Sequence, residues 1–415
     1  MSISLKLDWN VDIFYPKQQE VIHEPIKAIR NAINNPIGSP ALKNIIHQRK
    51  PLNHVCIVVS DATRPVPSHL ILQALIKELN EHGVSDNQIL ILIATGLHRS
   101  CRESELKRII GKQIQERIEI IGHIATNKDE LVYLGTSNDG VPIWINKHYY
   151  KADLKIITGY VEPHFFAGFS GGRKSVIPGI AGQQTIQGNH SAENIASPSA
   201  RFGIYEENPI HKNSMEITKK VGVDFTINVC INQNHQINKV AAGNLEDAHK
   251  YLINFQKKKI FKKIDELYDI VICGNGGFPL DLDLYQVVKS MAIAEMAVKE
   301  GGTIISVNEC SDGIGSGHEK FNDLINSSLS PIEIHNKILK KEINVADQWQ
   351  IQILARILMK AKIYVVSELK KKEIGKIGLK YSSSVEEAIQ KGLKKYGEDS
   401  NILILPNGPQ ILPQI

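Results

Sequence analysis

The sequence is poor in several features that would place it in common classes. Its cysteines number five (Cys56, Cys101, Cys230, Cys273, Cys310), lie far apart and never form a CxxC pair. That pattern argues for a reducing compartment and against a thiolate metal site. Long apolar runs are missing too: no stretch approaches the ~18 residues needed to cross a bilayer. The opening MSISLKLDWNVDIFYP has no basic segment followed by an apolar one, so no secretory leader is expected. Charge of one sign is barely in excess, at 49 Lys and Arg against 44 Asp and Glu. The densest basic run, QKKKIFKKI at 256–264, reads as a solvated helix face, not a nucleic-acid footprint. Repeats of solenoid period and low-complexity tracts are absent as well. A soluble cytoplasmic protein, acting on neither nucleic acid nor membrane, is the expectation.

What is present is an ordinary globular composition, 42% hydrophobic and 22% charged over 415 residues, a length that favours two domains over one core. Short, β-branched, near-continuous apolar runs mark buried strands of a parallel sheet: His54 to Val59, Ile89 to Ile93 and Leu154 to Ile157. Weaker strand candidates lie at Ser4 to Leu7, Ile118 to Ile121 and Leu131 to Leu134. Helical periodicity covers Glu24 to Asn35 and His69 to His82. A Lys-rich helix ends at Tyr268, and a second series then begins: strand Asp269 to Cys273, helix Leu284 to Glu300 capped by Gly301-Gly302, and strand Thr303 to Val307. Helix Ala346 to Lys360, strand Ile363 to Val366, helix Val385 to Lys395 and strand Ile402 to Leu405 complete it. Strand, loop and helix in alternation predict an α/β fold of two domains with largely parallel sheets, 1–262 and 263–415.

The stretch from Thr158 to His190 stands out, with Glu162, His164, Arg173, Lys174 and His190 among seven glycines. Glycine this dense suits a backbone that bends sharply or approaches a ligand, and ionisable groups in such a loop favour a site over a connector. Three further loops follow buried strands: SDATRPVPS at 60–68, ATGLHRS at 94–100 and the segment after Cys273. In parallel sheets ligands bind beyond the carboxyl ends of strands, so Asp61, Thr63, Arg64, His98, His164, Lys174 and His190 are candidates to converge. Asp61 and Thr63 also suit a helix cap, whereas Arg64 beside a helix start suits a carboxylate, phosphate or developing oxyanion. Two imidazoles at strand ends suit proton transfer.

GFSGGRKS at 168–175 resembles a phosphate loop but has Arg173 where that pattern needs glycine. A nucleotide-binding phosphotransferase is therefore the weaker alternative. The spacings of His98, His164 and His190 lack the short pairing of zinc enzymes, although one imidazole can serve a metal that brings its other ligands. Gln286 and Lys289 share a face near a helix start, as a solvated polar stripe also would. Trp349, between polar residues, lines a cleft or packs on a neighbouring helix.

SDATRP, ATGLHR, GYVEPHFFAGFSGGRKSVIPGIAG, GNH and DLDLYQVVKSM followed by GGTII occur in an order that resembles the nickel-pincer lactate racemase family along nearly the whole chain. The resemblance implies two α/β domains with the active site in the cleft between them. It also implies a racemase of D- and L-2-hydroxy acids, lactate first, with a larger or more acidic 2-hydroxy acid as the alternative. The implied cofactor is a nickel-pincer nucleotide, Ni(II)-pyridinium-3,5-bisthiocarboxylic acid mononucleotide, supplied by dedicated biosynthetic enzymes. By position, Lys174 resembles its covalent anchor and His190 its nickel ligand, while Asp61, Ala62, Thr63 and Arg64 resemble residues lining it. His98 and His164 match the paired acid–base histidines, and Arg64 matches the residue polarising the substrate oxygen. Gln286, Lys289, Trp349, Phe166 and Tyr285 match substrate-contacting positions.

Overall fold

The computed structural model describes residues 9–17, 20–278, 280–315, 317–345 and 348–415. The strand expected at Ser4 to Leu7 and the first residues of the helix expected from Ala346 lie outside them. The chain forms two compact α/β units. One comprises Gln18–His190 and Ser199–Lys258; the other gathers Met1–Lys17, Ser191–Pro198 and Lys259–Ile415. Two short segments from early in the chain thus pack with its later part. Strand Asn10–Ile13 pairs in parallel with Asn401–Leu405, and Ala192 O, at the start of helix Ala192–Ala196, accepts the Gln352 amide at 2.8 Å.

In the first unit the sheet order is Ile237–Gly243, Phe225–Ile231, Leu154–Tyr160, Val55–Ser60, Ile89–Ala94, Glu119–Gly122. Neighbours run parallel except the first pair. The continuous apolar runs follow from burial of both faces: Val55, Ile57 and Val59 feed one core, while Cys56 and Val58 feed the other. Helix Ser68–Glu81 covers the first of these faces with Ile71, Leu72, Leu75 and Leu79. The expected strand at 131–134 forms, but as Leu131–Thr136 in a separate antiparallel ribbon with Pro142–Asn146. Tyr133 is half exposed, and Asp139-Gly140, with Gly140 at φ 76°, supplies a tight turn. A strand open on one side joins a ribbon more readily than the interior of a parallel sheet.

The second unit's sheet runs Asn10–Ile13, Asn401–Leu405, Tyr268–Cys273, Val298–Val307, Lys362–Val366, Lys380–Tyr381, parallel throughout. Two boundaries differ from the sequence reading. The Lys-rich helix stops at Ile260 because Phe261–Lys263 pairs with Leu412–Gln414. Helix Leu284–Glu295 stops well short of Gly301-Gly302. The Tyr268 N–H captures Ala297 O at 2.8 Å and Tyr268 pairs with Val298, so those glycines lie inside a strand, with Gly301 at φ 69°. They mark a ladder irregularity, not a helix cap.

Each sheet has a point where strand order reverses, and polar loops follow the strands that flank it. In the first unit the chain proceeds outward from Val55–Ser60 through Ile89–Ala94 to Glu119–Gly122, then returns to the other side as Leu154–Tyr160. Such a reversal opens a crevice beyond the strand ends. In the second unit Tyr268–Cys273 and Asn401–Leu405 flank the equivalent point. No helix among the described residues is long and apolar enough to cross a membrane.

Candidate active site

Strands Val55–Ser60, Ile89–Ala94 and Leu154–Tyr160 are parallel neighbours, so the loops that follow them leave one edge of the sheet. The first two loops meet directly. His98 Nδ1 lies 2.7 Å from Asp61 Oδ2, and the Thr63 hydroxyl donates to Asp61 Oδ1 at 2.7 Å. Thr63 N–H donates to the same oxygen at 3.1 Å. The Asp61 side chain is thus a receptor for His98, not only a turn former. Burial pushes its carboxyl up, but the bond from His98, the charges of His98 and Arg64 and the Thr63 hydroxyl outweigh this and hold it below its ordinary value. Asp61 therefore stays ionised at neutral pH and fixes the Nδ1–H form of a neutral His98, which puts the ring's lone pair on Nε2. His98 itself is 47% exposed while Asp61 is 4% exposed: a buried carboxylate aims a solvent-accessible imidazole. Arg64 packs its guanidinium against Thr63, 3.3 Å from Oγ1, and Ala62 O accepts Arg108 at 3.3 Å.

The third loop folds into a small hairpin, Pro163–His164 against Gly168–Phe169. The Ala167 N–H donates to His164 Nδ1 at 3.2 Å. Phe166 sits amid the other candidate residues of this loop. Its ring makes edge contacts with His164 (4.5 Å between centroids) and His190 (4.9 Å), and Lys174 Nζ lies 5.6 Å from its centroid. The hairpin bends at Gly168, φ 76°, where an added Cβ would stand 2.0 Å from Ile204 O. A Gly168→Ala chain is expected to lose about 2–5 kcal/mol of stability, from the left-handed backbone and the overpacking together. Urea unfolding measures it, and a midpoint equal to that of the parent would contradict the stated geometry.

His190 closes helix Gln183–Asn189, its N–H on Ile186 O at 2.9 Å. Burial, with the charge of Lys174 second, pushes its imidazole down to about 3. It is therefore neutral across the physiological range, the state in which imidazole binds a metal. Among the described residues no group of three or more His, Cys, Asp or Glu is arranged to hold a metal ion. One buried neutral nitrogen donor beside a half-buried amine suits a metal group that carries most of its own ligands and is tethered by the chain. The two halves of the site are joined through backbone: Gly96 N–H, in the His98 turn, bonds Gly179 O at 2.9 Å, and Gly179 N–H bonds Lys174 O at 3.1 Å.

The phosphate-loop alternative fares poorly. The Gly172 N–H is taken by Asn228 Oδ1 at 3.0 Å, those of Ser170 and Lys174 by Glu162 O and Gly171 O, and the Ser175 hydroxyl by Thr158 O at 2.8 Å. Donors spent internally in this way are not open to a phosphate.

In the second unit, Asp283 caps helix Leu284–Glu295 through Gln286 N–H at 2.7 Å. One turn on, Lys289 Nζ donates to Gln286 Oε1 at 2.7 Å. Both are half-buried, which makes them a preformed amide–ammonium pair, not a freely solvated stripe. Tyr285 stacks on His318, 3.6 Å between centroids, and its carbonyl accepts Gln350 from helix Gln348–Lys360, on which Trp349 also lies. Two residues went unnoticed in the sequence as structural supports. Asn208 caps helix Pro209–Val221 and also donates to Phe166 O at 2.8 Å; its one local signal is the Asn-Pro start of a helix. Arg173, read in the sequence as one of the loop's ionisable groups and as a mismatch to a motif, is wholly buried.

A family model described as the lactate racemase N-terminal domain matches residues 1–203. One described as the lactate racemase C-terminal domain matches residues 264–412. The chain is 39% identical over 387 residues to the lactate racemase of Thermoanaerobacterium thermosaccharolyticum, covering 92% of this chain and 89% of that protein. Over 390 residues and the same shares it is 38% identical to the lactate racemase of Lactiplantibacillus plantarum. Among solved structures, the lactate racemase apoprotein of T. thermosaccharolyticum matches with a TM-score of 0.92 at 34% identity, covering 100% of this chain and 97% of that one. A protein from Thermotoga maritima, at a TM-score of 0.69 and 20% identity over 94% of this chain and 98% of its own, shares the fold.

Proposed function

The chain belongs to the lactate racemase family, and on that premise we propose that it is a cofactor-dependent isomerase interconverting D- and L-2-hydroxy acids, with lactate as the substrate. The observation that carries this reading is the pair of imidazoles at one sheet edge, one aimed by a buried carboxylate and flanked by a guanidinium. Removing the C2 proton of a 2-hydroxy acid as H⁺ is hard, because the resulting carbanion is poorly stabilised. Oxidising C2 to a planar 2-keto acid and reducing it on the other face avoids that carbanion. When bound, a nickel-pincer pyridinium nucleotide supplies the hydride acceptor that such a route needs. Lys174 and His190 are the residues suited to hold it, the amine as covalent tether and the neutral imidazole as nickel ligand.

The chain's own residues then do the acid–base and electrostatic work. His98 Nε2 takes the hydroxyl proton of one enantiomer while Asp61 stabilises the imidazolium that forms. His164 exchanges the proton for the enantiomer that presents its hydroxyl on the other side. Arg64 stabilises negative charge developing on the substrate oxygen, a fixed donor of this kind being worth ~2.7–4 kcal/mol of barrier. Lys289 and Gln286 offer an ammonium and an amide for the carboxylate, and Phe166, Tyr285 and Trp349 offer apolar surface for a small C2 substituent.

The test is the fate of hydrogen at C2. With protein carrying its cofactor in D₂O, unlabelled L-lactate is expected to become D-lactate without deuterium at C2, and C2-deuterated lactate is expected to keep its label. Solvent deuterium at C2 would show a carbanion route and overturn the hydride reading. Failure to interconvert lactate while turning over a bulkier or more acidic 2-hydroxy acid would move the substrate, not the chemistry.

A further inference from the structure

Arg173 is wholly buried, and its guanidinium binds carbonyls instead of a carboxylate. Nη1 donates to Phe169 O at 2.7 Å and reaches Gly171 O at 3.4 Å, while Nη2 donates to Ala167 O at 2.8 Å. Nε has no hydrogen-bond partner among the described residues. The Tyr205 ring lies under the group, 5.9 Å from Cζ to the centroid. Burial pushes its basicity down to about 10, with a small offset from Tyr205. Burying a cation without a counter-charge is costly, and a methionine would fill the same volume without that cost. A planar fork that pins two carbonyls at a fixed separation is what arginine adds.

Those carbonyls belong to the hairpin that carries His164. Ala167 is held on both sides: its carbonyl by Arg173, its N–H on His164 Nδ1 at 3.2 Å. Asn208 fixes the preceding carbonyl, Phe166 O. With an N–H donor facing Nδ1, a neutral His164 must carry its proton on Nε2. His98 is the opposite case, since its Nδ1–H donates to Asp61 and its Nε2 bears the lone pair. We propose that Arg173 is a positioning residue that keeps the Ala167 amide on His164 Nδ1, so that the two imidazoles are unequal in the resting chain: His98 presents an acceptor and His164 a donor. The catalytic consequence rests on the reading of both histidines as partners of one substrate; the state of the rings does not.

The unequal pair has a kinetic signature. Enantiomers have equal free energy, so kcat/KM must be the same in both directions of a racemase. Inequality between the histidines can therefore appear only as a difference in kcat matched by an equal difference in KM. Removing the Arg173 clamp should change the ratio of the two kcat values, whereas a merely structural loss would lower both alike.

The experiment uses the full chain with ¹⁵N-labelled histidine, without cofactor, read by long-range ¹H–¹⁵N correlation. The parent is expected to show His164 with a bare Nδ1 and a protonated Nε2, and His98 with the reverse. In Arg173→Met the His164 pattern is expected to become mixed while that of His98 holds, and Arg173→Lys, which reaches one carbonyl but not two, to fall between. Circular dichroism and melting check that the variants fold. The proposal is overturned by a protonated Nδ1 on His164 in the parent, or by an unchanged His164 in folded Arg173→Met. Failure of both variants to fold also overturns it, since Arg173 would then support the whole unit. Correct ring states in a chain that racemises nothing would instead overturn the proposed function and leave this inference standing.

Discussion

Asp61→Asn is expected to lower kcat for lactate roughly 10²–10⁴-fold, in both directions and with little change in fold. The native carboxylate accepts from His98 Nδ1 at 2.7 Å and has only acceptor atoms, so it admits one orientation of the neutral ring's proton. An asparagine keeps the shape but brings an NH₂ donor. If that donor faces Nδ1, the His98 proton moves to Nε2 and the base is lost; if the amide oxygen faces Nδ1, the negative charge that stabilises the imidazolium is still gone. Because His98 is 47% exposed, water can solvate part of the ring, which favours the lower end of the range. The loss should fall on kcat, since Asp61 touches the base and not the carboxylate of the substrate. Steady-state kinetics with each enantiomer decides it, and a kcat within threefold of the parent would remove Asp61 from the mechanism. Acid adds a second consequence. Asp61 has its folded-state pKa below the unfolded value, so its contribution to stability is present above the unfolded pKa and is lost as pH falls through the folded one.

The partnership of Asp61 and His98 shows where sequence reading reaches its limit. The strands were legible because the signal is local: Val55–Ser60, Ile89–Ala94 and Leu154–Tyr160 are continuous β-branched runs that only a doubly buried strand explains. Their parallel pairing then puts the three polar loops on one edge, so the grouping of those loops was legible as well. The side-chain pairings between them were not. Asp61 reads locally as a turn or cap residue, and its true partner lies 37 residues on. Helix Leu284–Glu295 reads as longer because its apolar period continues past Met296, and only pairing with Tyr268, from the preceding strand, ends it. The ribbon at Leu131–Thr136, the inclusion of Asn10–Ile13 in the second sheet and the burial of Arg173 are long-range outcomes of the same kind. Local pattern identifies elements and loop chemistry; which side chain meets which is settled by sheet order.

Lys174→Ala is expected to abolish racemisation altogether, and the reason can be separated from activity. Lys174 is a half-buried amine beside the face of Phe166, and it is one cause of the lowered basicity of His190. If its role were only a positive charge near a phosphate or carboxylate, Lys174→Arg would keep much of the function. If it is a covalent tether, Arg cannot replace it, because a guanidinium does not form the thioamide link that a primary amine forms. Intact-mass spectrometry of protein co-expressed with the cofactor-making enzymes distinguishes the two. The parent should carry an adduct that maps to the peptide containing Lys174, and both Lys174→Ala and Lys174→Arg should lack it and be inactive. His190→Ala sharpens the assignment: the neutral buried imidazole is suited to hold nickel, not the organic group, so this variant should keep the adduct mass on Lys174 and lose bound nickel. Active protein with an unmodified Lys174 would end the tether reading. Active Lys174→Arg would do the same and return the residue to a counter-charge.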